Sequence, residues 1–145
     1  MTMPGEPWPT TAEGFNERGA PHLPGLLGME ITSIERGAVA GRLEVDQRHW
    51  AANGFLHAAT VVALADTLCG NGCLMSLPEG ASGFTTIELK SNFLGTVREG
   101  VIEGTARLVH GGRTTQVWDA DVRSAATGKA IAAFRCTQLI LYPQP

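Results

Sequence analysis

The sequence predicts an α+β chain in which a curved antiparallel sheet of about five to six strands wraps around one long buried helix. Three observations predict it. Residues 57–75 form a single run of apolar and small residues with no polar face, the mark of a buried helix. Two strand-like segments precede this run and only strand-like segments follow it, separated by turn signals such as Arg36-Gly37, Gly111-Gly112 and Ala126-Thr127-Gly128. There is no internal repeat, so one helix has to share its core with one sheet, and a sheet that curls around the helix is the natural packing solution.

The elements follow in order. Residues 1–24 read as a leader: Pro4, Pro7 and Pro9 keep its start extended, and Thr11–Arg18 suits a short amphipathic helix. Pro21 and Pro24 predict an irregular connection. Residues 25–145 then make a single domain. Gly28–Arg36 and Val39–Asp46 read as two strands, and in the second Val39, Gly41, Leu43 and Val45 alternate with Ala40, Arg42 and Glu44, the period of a half-buried strand. After the loop 47–56 the buried helix runs to about Met75, with Gly70-Asn71-Gly72 weakening its last turns. In Thr85–Leu94, Ile87, Leu89 and Phe93 share one face and Glu88 and Lys90 the other. Val97–His110, Arg113–Arg123 and Lys129–Leu141 complete what reads as an antiparallel meander of successive hairpins.

Composition narrows the function. The chain has 145 residues, 43% hydrophobic and 17% charged, which fits one globular domain and excludes disorder over most of its length. The net charge of −3 argues against a nucleic-acid partner, for which a basic stripe is the expected footprint. The charge is uneven, however. Residues 1–89 carry four Lys/Arg and ten Asp/Glu, whereas residues 90–145 carry seven and four, a positive half that suits an anionic small molecule. No secretory signal is visible, and Asp66 and Gly70-Asn71-Gly72 interrupt the longest apolar run, so no membrane partner is expected. Three cysteines, Cys69, Cys73 and Cys136, without framework spacing point to reduced thiols in a cytoplasmic protein, and no metal site is expected from them.

Asp66 is the only formally charged side chain between Arg48 and Glu79, and it stands in the middle of the apolar helix. A carboxylate there is either paired or kept for chemistry. Upstream, Asn53-Gly54-Phe55-Leu56-His57 opens the same helix with an amide, a glycine and an imidazole. Nine residues at 100° each place His57 and Asp66 half a turn apart and about 13 Å along the axis, so the two cannot meet within one helix. If they serve one site, the acid comes from a neighbouring subunit, which would also cover a helix that one sheet cannot enclose. At the helix start the Ala58 N–H has no intrahelical partner and is suited to polarise a carbonyl oxygen. Asp66 would act as base or nucleophile, and Asn53 as a neutral donor.

The stretch His49-Trp50-Ala51-Ala52-Asn53-Gly54-Phe55-Leu56-His57-Ala58-Ala59, with Ala63-Leu64-Ala65-Asp66-Thr67, resembles hotdog-fold acyl-CoA thioesterases of the phenylacetic acid degradation and 4-hydroxybenzoyl-CoA type. Glu88–Leu94, Arg98-Glu99-Gly100 and Gly112–Asp119 extend the resemblance, which covers roughly Gly25 to Leu141. It implies hydrolysis of an aryl- or medium-chain acyl-CoA without a cofactor, by a homodimer or homotetramer built as a dimer of dimers. It assigns the attack to Asp66, carbonyl polarisation to Ala58, and the holding of loop and substrate to Asn53 and His57. The nucleotide end of CoA would lie near Arg98, Arg113 and Thr114. Gly70, Gly72 and Phe93 are expected to contribute space and an aromatic wall that suit an aryl or medium-chain acyl group, and Gly54 is expected to contact the substrate. Two other activities compete: a hydroxyacyl-thioester dehydratase of the same fold, and an acyl-CoA-binding protein with little turnover. The chain makes three departures from the family pattern, of which Ala51 and Gly70 suggest the latter. Ala58-Ala59 replaces a glycine pair, Ala51 stands six before the histidine in place of an amide, and Gly70 stands four after the acid in place of a hydroxyl.

Overall fold

A computed structural model describes residues 5–145; Pro4, part of the expected extended leader, lies outside them. Helix α1 (Ala12–Gly19) starts where the Thr11 hydroxyl accepts the Gly14 N–H at 3.1 Å, a side-chain cap for an otherwise orphaned donor. Phe15 buries itself on the body of the protein. The Asn16 amide next to it clasps β1 (Met29–Glu35), donating to the Ile31 carbonyl and accepting the Ile31 N–H.

The connection around Pro21 and Pro24, expected to be irregular, forms a second short helix, α2 (Leu23–Leu27). Pro24 sits in its first turn, where the missing N–H has no partner to lose, and Gly28 closes it at φ 75°. Strand β2 (Ala38–Val45) buries alternate residues, Val39, Gly41, Leu43 and Val45, as its period predicts. A single 3-10 turn (Gln47–His49) and a loop lead into α3 (Ala58–Met75), followed by β3 (Gly83–Phe93), β4 (Gly100–Gly111), β5 (Thr115–Ser124) and β6 (Ala130–Leu141).

All six strands form one antiparallel sheet in the order β1-β2-β4-β5-β6-β3. The expected meander therefore holds only for β4-β5-β6. Strand β3 lies at the far edge beside β6, and β4 returns to pair with β2. The reason is α3 itself: lying across the sheet, it carries the chain from the β2 side to the opposite edge, and the next strand has to cross back.

Small residues let α3 lie close. A Cβ on Gly104 would come within 2.5 Å of Leu68 Cδ1, and one on Gly41 within 2.6 Å of Leu68 Cδ2. Gly72 faces the fully buried Trp118, whose ring would be 2.5 Å from an added Cβ. The Trp118 indole N–H donates to Gln116 Oε1, and the Gln116 amide donates to the Ser76 carbonyl, so the polar atoms beneath the helix end are paired.

Strand β3 also departs from its expected pattern. A bulge between Thr86 and Glu88 takes Ile87 out of register, so Thr86, opposite buried Gln138, shares the inner face with Leu89 and Phe93. Leu89 and Phe93, opposite buried Cys136 and Ala132, nevertheless remain 43% and 47% exposed. The chain thus presents an unpaired strand edge next to uncovered apolar side chains.

The close approach of α3 to Trp118 makes Gly72→Ala an overpacking substitution, expected to cost about 1–3 kcal/mol in chemical denaturation. Gly83→Ala, which meets no atom within 4 Å, is the control and should stay within about 0.5 kcal/mol of the parent.

Candidate active site

The site begins at a histidine that sequence reasoning passed over. His49 is buried, and both of its ring nitrogens are committed: Nδ1 accepts the Asp46 N–H at 2.9 Å, and Nε2 donates to the Leu27 carbonyl at 2.7 Å. Its backbone carbonyl then accepts both the His57 N–H at 2.9 Å and the Thr60 hydroxyl at 3.1 Å. The loop 50–56 is therefore an excursion closed at its base by His49 and His57. The signal was present in the sequence as Asp46-x-x-His49, a capping pair in which each residue's side chain accepts from backbone near the other.

Within the excursion, Trp50 and Leu56 form an antiparallel bridge, the Ala51 N–H donates to the Phe55 carbonyl, and Gly54 takes φ 84°, a conformation suited to glycine. Asn53 Oδ1 accepts the Phe55 N–H at 3.1 Å. Its carbonyl oxygen is thus spent on the turn, and the amide NH2 is the part left to meet a substrate or water. Arg98 braces the loop from outside. Its guanidinium lies 4.3 Å from the Phe55 ring centroid, and its carbonyl accepts the Trp50 indole N–H at 2.8 Å.

The loop delivers His57 to the N-cap of α3, where Nδ1 accepts the Ala59 N–H at 2.9 Å. An accepting Nδ1 leaves the proton of the neutral ring on Nε2. The His57 carbonyl takes the Thr60 and Val61 donors. Among the described residues the Ala58 N–H has no acceptor, so one free donor stands at the positive end of the helix beside an exposed imidazole N–H.

Asp66 lies further along the same helix, two residues from both Leu64 and Leu68, which pack on the sheet side. At 100° per residue it therefore points away from the sheet. Its Oδ1 is buried and has no hydrogen-bond partner among the described residues. Burial pushes its carboxyl pKa above the ordinary value of 3.8.

The remaining candidates scatter. Gly70 was expected to leave room for a substrate, but that room is occupied: the Phe84 ring would stand 2.9 Å from an added Cβ. The same ring explains why no hydroxyl side chain stands four residues after the acid. Phe93 lies at the end of β3, exposed on the inner face. Arg98 adjoins the loop, whereas Arg113 and Thr114 lie in the β4–β5 hairpin at the opposite end of β4, on the order of 35 Å away along the strand. There Arg113 stacks on Tyr142, 5.4 Å from its centroid. Within one chain Arg98 and the Arg113-Thr114 pair cannot share a ligand. Among the described residues no group of three His, Cys, Asp or Glu side chains is gathered as a metal site.

With this geometry in place, comparison with known proteins is direct. Residues 53–131, the span from the loop through the helix to the start of β6, match the family model of the thioesterase superfamily. A 1,4-dihydroxy-2-naphthoyl-CoA hydrolase of Listeria monocytogenes is 32% identical over 77% of this chain and 89% of its own length. Its Escherichia coli namesake is 27% identical over 90% and 95%. Among solved structures, thioesterases from Pseudomonas aeruginosa and Haemophilus influenzae each superpose with a TM-score of 0.85 at 27% identity, covering 94% of this chain and 99% and 96% of theirs. The curved six-stranded sheet around α3 is the hotdog fold of these neighbours. The chain belongs to the thioesterase superfamily and is a thioester hydrolase acting on acyl-CoA.

Proposed function

We propose that the protein hydrolyses an aryl-type acyl-CoA at a site shared by two protomers, Asp66 coming from one and the His57-Ala58 helix entry from the other. The orphaned Asp66 Oδ1 carries this reading: a buried acceptor with no partner among the described residues, half a turn and about 13 Å along the helix from His57, with which it would have to work. The unpaired β3 edge and the uncovered Leu89 and Phe93 offer the surface on which a second copy would pair. Two such dimers back to back would give a homotetramer, in which Arg113 and Thr114 of one chain have the opportunity to approach the site of another. The naphthoyl-CoA hydrolases among the relatives favour an aryl over a medium-chain acyl group, as do the exposed Phe55 and Phe93 rings. The buried, unbridged thiols support a cytoplasmic setting.

In this reading the thioester oxygen sits against the Ala58 N–H and the His57 Nε2–H, which stabilise the oxyanion as it develops. The Asp66 carboxylate either attacks the carbonyl carbon or takes a proton from a water that does. The C–S bond breaks, the thiolate of CoA leaves and is protonated, and water supplies the second oxygen of the free acid. The carboxylate provides the attack and the helix entry the polarisation, so no metal or cofactor is called on. Activity should accordingly survive prolonged dialysis against EDTA, and loss of turnover restored by a divalent metal would contradict the mechanism.

Asp66→Asn should lower kcat for release of free CoA by at least about a hundredfold, in line with the loss of a group acting on the reacting atoms. Mixing refolded Asp66→Asn and His57→Ala protomers provides the test of a shared site. Random pairing leaves one intact site in half of the dimers, so about a quarter of parental activity should return. Mixtures as inactive as either parent would place the acid and the helix entry in the same chain's site.

The raised pKa has a second consequence. Because the neutral acid is the form favoured in the folded state, its contribution to stability is present below about pH 3.8 and is lost as pH rises through the folded pKa. Ionisation of the carboxylate therefore costs stability. Asp66→Asn should melt a few degrees above the parent at pH 7, and the gap should close as pH falls toward 4, read by calorimetry across that range.

A further inference from the structure

Among the described residues two buried side-chain atoms lack a hydrogen-bond partner, Asp66 Oδ1 and Ser91 Oγ. They belong to elements that lie against one another. The Phe84 ring of β3 would stand 2.9 Å from a Cβ on Gly70, and at 100° per residue Gly70 is about 40° round the helix from Asp66. The flank of α3 that carries the acid, turned away from β2 and β4 where Leu68 is seated, is thus the one that β3 curls round to meet. Register fixes the level. Leu68 rests on Gly41, and Gly72, one turn later, meets Val39, so α3 runs antiparallel to β2 and, through the alternating strands, to β3. The Cys69 thiol meets the Cys136 thiol of β6, and Cys136 pairs with Leu89. From that level Asp66 lies three residues back along α3, about 4.5 Å toward the helix start. Ser91 lies two residues on along β3, about 7 Å in the same direction. Ser91 pairs with the buried Phe134, which puts it on the inner face between Leu89 and Phe93. A hydroxyl and a carboxylate in direct contact would satisfy each other. Both remain unpaired, which is what two side chains that share a bridging molecule require.

We infer that Ser91 is a positioning residue of the hydrolysis, and that its Oγ and Asp66 Oδ1 together hold the attacking water. The inference rests on Asp66 being the acid of the reaction proposed above, and it selects between the two routes left open there: a water held by both side chains is deprotonated by Asp66, which then does not attack the carbonyl itself. The water donates one O–H to Asp66 and the other to Ser91 Oγ, which leaves an oxygen lone pair directed at the acyl carbon. Asp66 takes the first proton as the new carbon–oxygen bond forms. The C–S bond then breaks, and that proton goes to the departing thiolate. Ser91 keeps its own proton throughout and acts only as an acceptor, so what the site needs at position 91 is an oxygen. Leu89 and Phe93 on either side of it belong to the surface on which the second protomer would pair, so the water is shut in where the two chains meet.

The test measures kcat and KM for release of free CoA from benzoyl-CoA or hexanoyl-CoA, whichever the parent cleaves faster. Ser91→Ala should lower kcat about tenfold, the worth of one hydrogen bond to the reacting water, with KM within about twofold of the parent. Ser91→Thr, which keeps the hydroxyl, should stay within about threefold of the parent in kcat. The denaturation midpoint of Ser91→Ala should equal or exceed that of the parent, because the change removes a buried group without a partner. A midpoint that falls together with kcat marks a hydroxyl with a structural role only and overturns the inference, as does a Ser91→Ala enzyme as fast as the parent. Two side chains that hold one water act as a unit, so adding Ser91→Ala to Asp66→Asn should cost less than about twofold more. A second, full tenfold loss in that background refutes the shared water. One turnover in heavy-oxygen water with enzyme in excess should put the label in the released acid, and label in the Asp66 carboxyl would show direct attack by the acid and overturn the role of Ser91. Undiminished turnover by Asp66→Asn instead removes the acid assignment and this inference with it, whereas a slow Asp66→Asn beside a fast Ser91→Ala sinks this inference alone.

Discussion

A single carboxylate on an otherwise apolar helix is the constraint around which the molecule is arranged. On its sheet side α3 is built to come close, with Leu68 seated over Gly41 and Gly104 and Gly72 against Trp118. On the other side it carries Asp66, whose burial raises its pKa and whose Oδ1 finds no donor among the described residues. A structural role would have provided a partner, since buried polar groups in native proteins are almost always satisfied. A group left costly in the ground state is what the proposed reacting acid would require, with stability yielding to function at this position.

Two imidazoles in the same segment divide the work through their surroundings. His49 is sealed, and both of its nitrogens are used up on Asp46 and Leu27, so it can only hold structure. His57, eight residues on, spends one nitrogen on the Ala59 N–H and keeps the other exposed. The first fixes the carbonyl from which the second hangs, because the His57 N–H donates to the His49 carbonyl. The orientation of the helix entry thus depends on a residue that touches no substrate.

What was legible in the sequence was what local period encodes. The buried helix, the strand alternation of Val39 to Val45 and the turn at Gly111-Gly112 each follow from spacing within a few residues. The placement of β3 did not, because strand order is decided by where α3 delivers the chain and not by anything in β3 itself. The bulge at Ile87 shifted a face that strict alternation would have kept. Pro24 read as a breaker, although in a first turn proline is compatible with a helix. At the site, Asp66 and His57 stood out by type and spacing. The role of His49 was hidden because its most telling partner, the Leu27 carbonyl, is 22 residues away and belongs to backbone. Gly70 looked like open space for the same reason: the ring that fills it comes from Phe84, on another element.

The departures from the family pattern follow a physical logic of their own. With the Phe84 ring against Gly70, a hydroxyl four residues after the acid would have to displace a packed aromatic. At position 51 the backbone N–H closes the loop onto Phe55, and an alanine side chain adds no polar contact. Elsewhere on the same helix Thr67 and Asn71 face a cavity between α1, α2, β1 and α3. The leader, whose prolines read as an extended start, forms a wall of this cavity through Trp8, tied to Ser82 and Arg18. Each departure has a packing or backbone reason within this chain, and each leaves Asp66 and the His57-Ala58 helix entry in place.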